Sequence, residues 1–354
     1  MLHRKIWDKI LLAAFLFVPL LPVKAEHDEG KKFNPGIFIL DHVNDSYGWH
    51  ILTYNGHHVS VPLPVILYSE QSGFHVFMSS KFHHGSHAHH GFIIAEDGPN
   101  KGKIVEKAAD GSFVRPMLDL SITKTVFALF CSIAILLTIF LSVARAYKRR
   151  GNHAPSGLQS FMEPLILFVR DDIARPTLGH KYKQHMPYLL TVFFFILVNN
   201  LMGLIPFFPF GANVTGNIAV ALILAAITFI ISVVVSSKKY WFHIVNPPGV
   251  PLWLKIPVPI MPFVEALGVI TKPVVLMVRL FANVTGGHIV MLGLLSLIFL
   301  FGDINVISGY GVSIVSVFLV IFMTLLELLV AFIQAYVFTL LSALYFGMAS
   351  EEHH

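Results

Sequence analysis

Residues 273–301 read PVVLMVRLFANVTGGHIVMLGLLSLIFLF, an apolar run long enough to cross a bilayer with one arginine, Arg279, in its interior. No acidic residue stands within reach of Arg279 along that helix. A guanidinium in the middle of a membrane helix costs about 2.5–3.5 kcal/mol on insertion scales, and it does not shed its proton. It is tolerated chiefly where it faces water or a partner, so a fixed charge here points to a working site. The competing reading is a structural arginine, paired with a backbone carbonyl or a lipid phosphate.

Composition places the whole chain in a membrane. Of its 354 residues 55% are hydrophobic and only 13% charged, with a mean hydropathy of +0.71, which excludes an ordinary soluble domain of this size. The net charge of +5 comes largely from basic residues in short loops beside apolar segments, where they read as topology determinants and not as nucleic-acid contacts. The single cysteine, Cys131, lies within an apolar segment and excludes an intrachain disulfide. There is no GxxxxGK[ST] loop, so no nucleotide site is expected, and no cofactor or metal centre is called for.

The chain divides into three parts. Residues 1–25 have a basic start, an apolar stretch and small residues at Val23 and Ala25, the pattern of a cleavable signal peptide; an uncleaved first membrane helix is the alternative. Residues 26–117 are more polar, and the runs at 48–68 and 72–80, punctuated by Asn-Gly and Pro, predict a small exported domain of β-strands and hairpins. The run KFHHGSHAHH at 81–90, with no fixed ligand spacing, predicts a solvated loop; metal binding or proton gathering are the alternatives.

Residues 118–354 form the membrane domain. Spans are expected at about 123–146, 188–208, 217–235, 274–301 and 309–346, and the stretch 156–181 is too short and charged to span, so it predicts an amphipathic surface helix. The last two segments run to about 28 and 38 residues, or about 42 and 57 Å, against a hydrocarbon core of about 30 Å, and must tilt strongly unless they break. The fold class is therefore an all-α polytopic membrane protein with a small β-containing N-terminal domain. The RAYKRR end of the first span sets the N-terminal domain outside and the C-terminus in the cytoplasm.

Sparse polar groups in so apolar a setting are pathway candidates: Lys272, Arg279, Asn283, His288, Asp303, Asn305, Glu327 and Gln334. Asn283 follows Arg279 by four residues on one helix face, and Glu327 and Gln334 share a face of the next. His288 falls about 180° round the helix from Arg279 unless Gly286 and Gly287 bend it. A pair between His288 and Glu327 is expected, suited by reference pKa values of about 6.5 and 4.3 to passing a proton.

The runs TKPVVLMVRLFANVTGGH (271–288) and ELLVAFIQAYVFTLLSALYFGMASEEH (327–353) resemble subunit a of F-type ATP synthases in order, spacing and the position of the one arginine. The resemblance implies a proton-translocating stator subunit of a bacterial inner (plasma) membrane, not an enzyme on its own. Its implied partners are a ring of c subunits, the b subunits of the peripheral stalk and membrane lipid, with no direct nucleotide. It assigns proton translocation to Arg279, His288, Glu327, Gln334 and Asn283, with Arg279 separating two half-channels to the c-ring carboxylates. Some members carry glutamate where His288 stands and histidine where Glu327 stands, the same acid and base exchanged. VNNLMGLIPF (198–207) resembles the family's corresponding helix, and Asn199, Asn200, Asn213, Thr215 and Asn217 are then possible lining groups, although asparagine equally caps or packs helices. Many relatives have an acid where Gly203 stands. A stand-alone secondary transporter, the alternative, predicts internal symmetry that the chain does not display.

Overall fold

A computed structural model of the chain describes residues 34–350, apart from 55–56, 71, 86, 96, 108–111, 151–152, 206–209 and 246–259. The signal segment at 1–25, most of the proline-rich connection after residue 245 and the terminal Glu351 to His354 lie outside the described residues.

The N-terminal unit opens with helix α1 (Pro35–Val43), then a hairpin of β1 (Gly48–Tyr54) and β2 (His57–Pro62). Strands β3 (Pro64–Ser69), β4 (Gly73–Met78), β5 (Phe92–Ile94), β6 (Ile104–Lys107), β7 (Phe113–Val114) and β8 (Leu118–Asp119) make two further sheets, ordered β4-β3-β8 and β5-β6-β7. Alternation along β3 buries Val65 and Leu67 against Tyr47, Phe82, Phe92 and Ile104. Glu106 ties the two sheets together, accepting from Ser69 and, at 2.7 Å, from Ser72. Burial, then the bond from its hydroxyl to Asp119 (2.6 Å), pushes the Tyr47 phenol well above its ordinary pKa and keeps it a donor.

The histidine-rich run is not the open loop predicted for it. Residues Ser79–Gly85 form a 3₁₀ turn, and His89 bridges to Phe92. The reason is Phe82, fully buried in the core, which anchors a segment otherwise dominated by polar residues. The side chains of His83 and His84 lie outside the described residues, and among the described residues no group of three potential ligands is arranged to hold a metal.

The membrane domain begins at α2 (Lys124–Arg150), whose first turn is joined to the N-terminal unit. Asp45 Oδ1 accepts from the Thr125 amide at 3.0 Å, and Lys124 Nζ donates to the carbonyls of His42 and Asn44. A carboxylate at a helix N-terminus satisfies a free amide and complements the helix dipole. Helix α3 (Leu158–Phe168), a π-helical turn (Val169–Ala174) and α4 (Arg175–Leu178) follow. Along them Gln159, Met162, Val169, Ile173 and Leu178 are buried, the inner stripe of the amphipathic segment. Next come α5 (Tyr182–Leu204), α6 (Ile218–Val235), α7 (Lys238–Val245), α8 (Ile260–Ile304) and α9 (Val306–Ser350). Among the described residues five helices are long and apolar enough to cross a membrane.

Helix α5 runs through the centre, burying Leu189, Val192, Phe193, Phe194, Ile196 and Leu197 in a core shared chiefly with α9, α2 and the π-helical turn. Helix α9 meets this core with Ala331, Ala335, Thr339, Ala343 and Gly347, small residues four apart and all buried. Such a stripe lets backbones approach closely where lipid supplies no hydrophobic drive.

Helices α8 and α9 have 45 residues each, about 68 Å at 1.5 Å per residue, longer than the sequence suggested. Helix α8 continues through Pro273, a break that membrane helices absorb because neighbours re-satisfy the freed carbonyl. At the other end a single residue, Asn305, makes the turn: its side chain caps the Ile307 amide at 3.1 Å, and its carbonyl takes the Gly309 amide at 3.0 Å. Asn305 thus has a capping role. The helices touch at once beyond the turn, where a Cβ built on Gly309 would stand 2.8 Å from Gly302 Cα.

Replacing Gly309 by Val forces that contact apart. The expected cost is about 1–3 kcal/mol, read as a lower midpoint in thermal unfolding of the detergent-solubilised protein; an unchanged midpoint would contradict the packing described.

Candidate functional site

Antiparallel α8 and α9 bring together residues far apart in sequence. His288 Nδ1 lies 4.0 Å from Glu327 Oε1, with the two side chains 13% and 9% exposed. His288 Nδ1 is also 3.1 Å from the Val284 carbonyl, which suits a proton on that nitrogen, a tautomer assigned from the bond partner. His288 Nε2 and both Glu327 carboxylate oxygens are buried with no hydrogen-bond partner among the described residues. Buried polar atoms are rarely left so, which makes this cluster of three the first candidate for a functional site.

Those atoms face a cavity lined by Asn200, Leu204, Asn283, Val284, His288, Glu327, Val330 and Ala331. Its volume, about 20 Å³ measured by where a water centre fits, is enough for one water molecule. Helix α8 stays continuous through Gly286 and Gly287, so the glycine pair does not unwind it. The need there is for space: a Cβ on Gly287 would collide with the Glu327 carboxylate. Gly203 of α5 faces the same site, and a Cβ there would stand 3.7 Å from His288 Nε2. The imidazole therefore lies beside Gly203, where the resemblance implied an acid in related chains.

The five asparagine and threonine positions separate by environment. Asn200 lines the cavity, accepts from Thr215 Oγ1 at 2.5 Å and donates to the Ala331 carbonyl at 3.4 Å. Asn199 donates to the Phe195 carbonyl of its own helix, leaving its buried Oδ1 without a partner. Asn213 holds the Gly216 amide in the turn, and Asn217 caps α6 through the Ala219 amide. Asn200 and Thr215 are thus joined to the cavity, while Asn213 and Asn217 shape the loop beside it.

Arg279 points elsewhere. Its residue is exposed, and the ion pairs found at Arg170–Asp171, Arg175–Asp171 and His288–Glu327 do not involve it. Its carbonyl is tied down by Gln334 Nε2 at 2.9 Å, and Gln334 is 3% exposed. The bond fixes the α8 backbone at the arginine and leaves the guanidinium free to meet a partner. Asn283, one turn along, is exposed with it and also reaches the cavity.

A second cavity of similar size lies on the other side of Arg279, lined by Thr228, Ser232, Tyr240, Lys272 and Tyr345 among apolar neighbours. Lys272 Nζ sits 5.5 Å from the centre of the Tyr345 ring, and Thr228 shares a 2.7 Å hydrogen bond with Tyr188. Of these, sequence reasoning identified only Lys272. Tyr345 and Tyr240 carry no signal of their own in the sequence, and only their place beside Lys272 in this cavity distinguishes them. Along α8 the two cavities bracket Arg279, at seven residues to Lys272 and nine to His288, about 10 and 14 Å.

Residues 126–347 match the family model described as ATP synthase A chain, and residues 38–121 match a Domain of unknown function (DUF8433). Among curated proteins, "ATP synthase subunit a" of Chloroherpeton thalassium is 44% identical over 243 residues, covering 67% of this chain and 69% of that one. "ATP synthase subunit a 2" of Chlorobium luteolum is 46% identical over 239 residues, 66% of each chain. "ATP synthase subunit a" of an Anaeromyxobacter species is 38% identical over 261 residues, 71% of this chain and 60% of the relative.

Enlarging Gly287 to Ala pushes the Glu327 carboxylate off His288. In a double-mutant cycle the expected loss of thermal stability, about 1–3 kcal/mol, disappears when Glu327 is also Ala. Equal losses in both backgrounds would mean that Gly287 and Glu327 do not share this space.

Proposed function

Because the chain belongs to the ATP synthase subunit a family, a membrane component of proton transport in ATP synthesis, we propose that its two cavities are the ends of two half-channels held apart by Arg279. The observation that carries this reading is the arrangement along α8: an unpaired guanidinium between a His288–Glu327 cavity on one side and a Lys272–Tyr345 cavity on the other. Neither cavity includes Arg279 among its lining residues.

The first half-channel enters beside the 210–217 loop on the side of the N-terminal unit, which the basic end of α2 sets outside the cytoplasm. A proton arriving there is taken by Glu327 or His288, the acid and base that share the cavity, and passes to a carboxylate carried by a ring of c subunits. The exposed flank of α8 and α9, which carries Val275, Val278, Arg279 and Asn283 on α8 and Leu325 and Leu329 on α9, is the surface offered to that ring. A carboxylate that comes opposite Arg279 is drawn into its ionised form, because an adjacent positive charge lowers a carboxyl pKa. Its proton leaves through the Lys272 cavity to the cytoplasmic side. The arginine holds its own proton throughout, so it bars direct passage between the paths. Gln334 serves as the positioning residue, holding the α8 carbonyl from which the guanidinium extends. The b subunits of a peripheral stalk would keep this subunit from turning with the ring.

The test is ATP-driven proton uptake into inverted vesicles carrying the whole complex. Arg279→Ala is expected to abolish uptake while ATPase heads remain attached in normal amount; undiminished uptake would make Arg279 a structural residue. Glu327→Gln and His288→Ala are each expected to lower uptake by about 10²-fold or more, the lower end of the 10²–10⁴ range for a positioned proton-transfer group. The exchanged double variant, His288→Glu with Glu327→His, is expected to recover part of what either exchange alone loses.

A further inference from the structure

The N-terminal unit is seated on the loop between α5 and α6, which is bonded through Thr215 to Asn200 of the first cavity. Trp49 of β1, 6% exposed, shares a buried cluster with Ala128 of α2 and with Ala212 and Val214 of the loop between α5 and α6. Phe127 meets its ring edge-on at 6.1 Å, and Val61 of β2 packs against the same cluster. Two further attachments hold the unit in register with the helices: the Asp45 and Lys124 bonds at the start of α2, and α1 against the far end of α8, where Phe38 and Phe299 stand 6.4 Å apart.

What Trp49 touches leads directly to the proton site. Next after Val214 comes Thr215, whose hydroxyl donates to Asn200 Oδ1 at 2.5 Å, and Asn200 lines the cavity with His288 and Glu327. Next after Thr215 comes Gly216, whose carbonyl accepts from Thr285 at 3.1 Å, three residues before His288. One backbone bond, from the Gly211 amide to the Met202 carbonyl at 3.0 Å, ties the start of the loop to α5; beyond it the loop's described backbone bonds are short-range, Val214 to Ala212 and Asn217 to Val214. The stretch from Ala212 to Gly216 therefore depends on side chains for its height above the helices. An indole wedged beside Ala212 and Val214 supplies a large rigid contact surface.

We propose that Trp49 is a positioning residue for proton entry, holding Thr215 against Asn200 at the mouth of the His288–Glu327 cavity, and that the N-terminal unit is in this sense a wall of the inlet. The inference rests on the half-channel reading above. It gives the unit a task within proton transport itself, beyond attachment or export.

The experiment measures potential-driven proton flux per complex in liposomes, normalised to bound ATPase heads so that a loss of assembly does not count. Trp49→Ala and Thr215→Val are each expected to lower flux per complex about fivefold, and the double variant by about the same fivefold and not twenty-five, because one acts through the other. Trp49→Phe, which keeps an aromatic wedge, is expected to stay within about twofold of the native flux. If Trp49→Ala does not assemble, Val214→Ala trims the same contact from the loop side and is judged by the same cycle with Thr215→Val. Native flux in Trp49→Ala or Val214→Ala, or multiplicative losses in the double variant, would overturn the inference. Glu327→Gln separates the two levels of argument. If it leaves flux intact, the half-channel reading itself fails; if it abolishes flux while Trp49→Ala conducts normally, only the role of Trp49 falls.

Discussion

The contact between α8 and α9 is the constraint on which the rest depends. Two apolar helices of 45 residues gain nothing from each other by escaping water when lipid already surrounds them, so close approach has to come from shape and hydrogen bonds. Gly302 and Gly309 bring the backbones together at the turn, Gly287 makes room for Glu327 midway, and Gln334 bonds across to the Arg279 carbonyl. The last two of these place an ionisable group as a by-product of packing. The pair at His288 and Glu327 exists because the hairpin is tight, and the arginine projects outward because its backbone is held from behind.

The asymmetry between the two kinds of charge follows from the same geometry. Glu327 and His288 are titratable types that share one small, largely apolar cavity. Arg279 has no such choice, and its insertion penalty of about 2.5–3.5 kcal/mol is not offset by any carboxylate of its own chain among the described residues. A subunit that supplied an internal partner would neutralise the charge before any ring carboxylate arrived. Exposure of the guanidinium on an otherwise apolar flank is therefore what the proposed mechanism requires, and the penalty is met when a partner's carboxylate stands opposite.

Much of this was legible in the sequence because a single charge in a long apolar run has few explanations. Arg279, His288 and Glu327 stood out by type, and helical periodicity assigned His288 and Arg279 to opposite faces, as the continuous α8 has them. The strand alternation at 48–68 was equally plain. Other features were hidden for physical reasons. Helix ends in α8 and α9 were misjudged because Pro273 and Gly309 stop helices in water but not where neighbouring helices supply the missing partners. Asn305 looked like a pathway group and is a cap. Phe82 is one apolar residue among histidines, so its anchoring role shows only once the β3 core is assembled. Trp49 lies more than 160 residues from the loop it supports, a separation readable straight from its numbering, and no local pattern announces such a contact.

The central claim is that two aqueous paths reach Arg279 from opposite sides without joining, and accessibility of introduced thiols tests it most directly. With Cys131 replaced by Ser, single cysteines at Asn200 in the first cavity and at Ser232 in the second would be exposed to silver ion from one side of sealed vesicles at a time, with proton flux as the readout. The account predicts that Asn200→Cys is blocked only from the side of the N-terminal unit and Ser232→Cys only from the other. Block of both from the same side, or of either from both sides, would mean one continuous path and would contradict it.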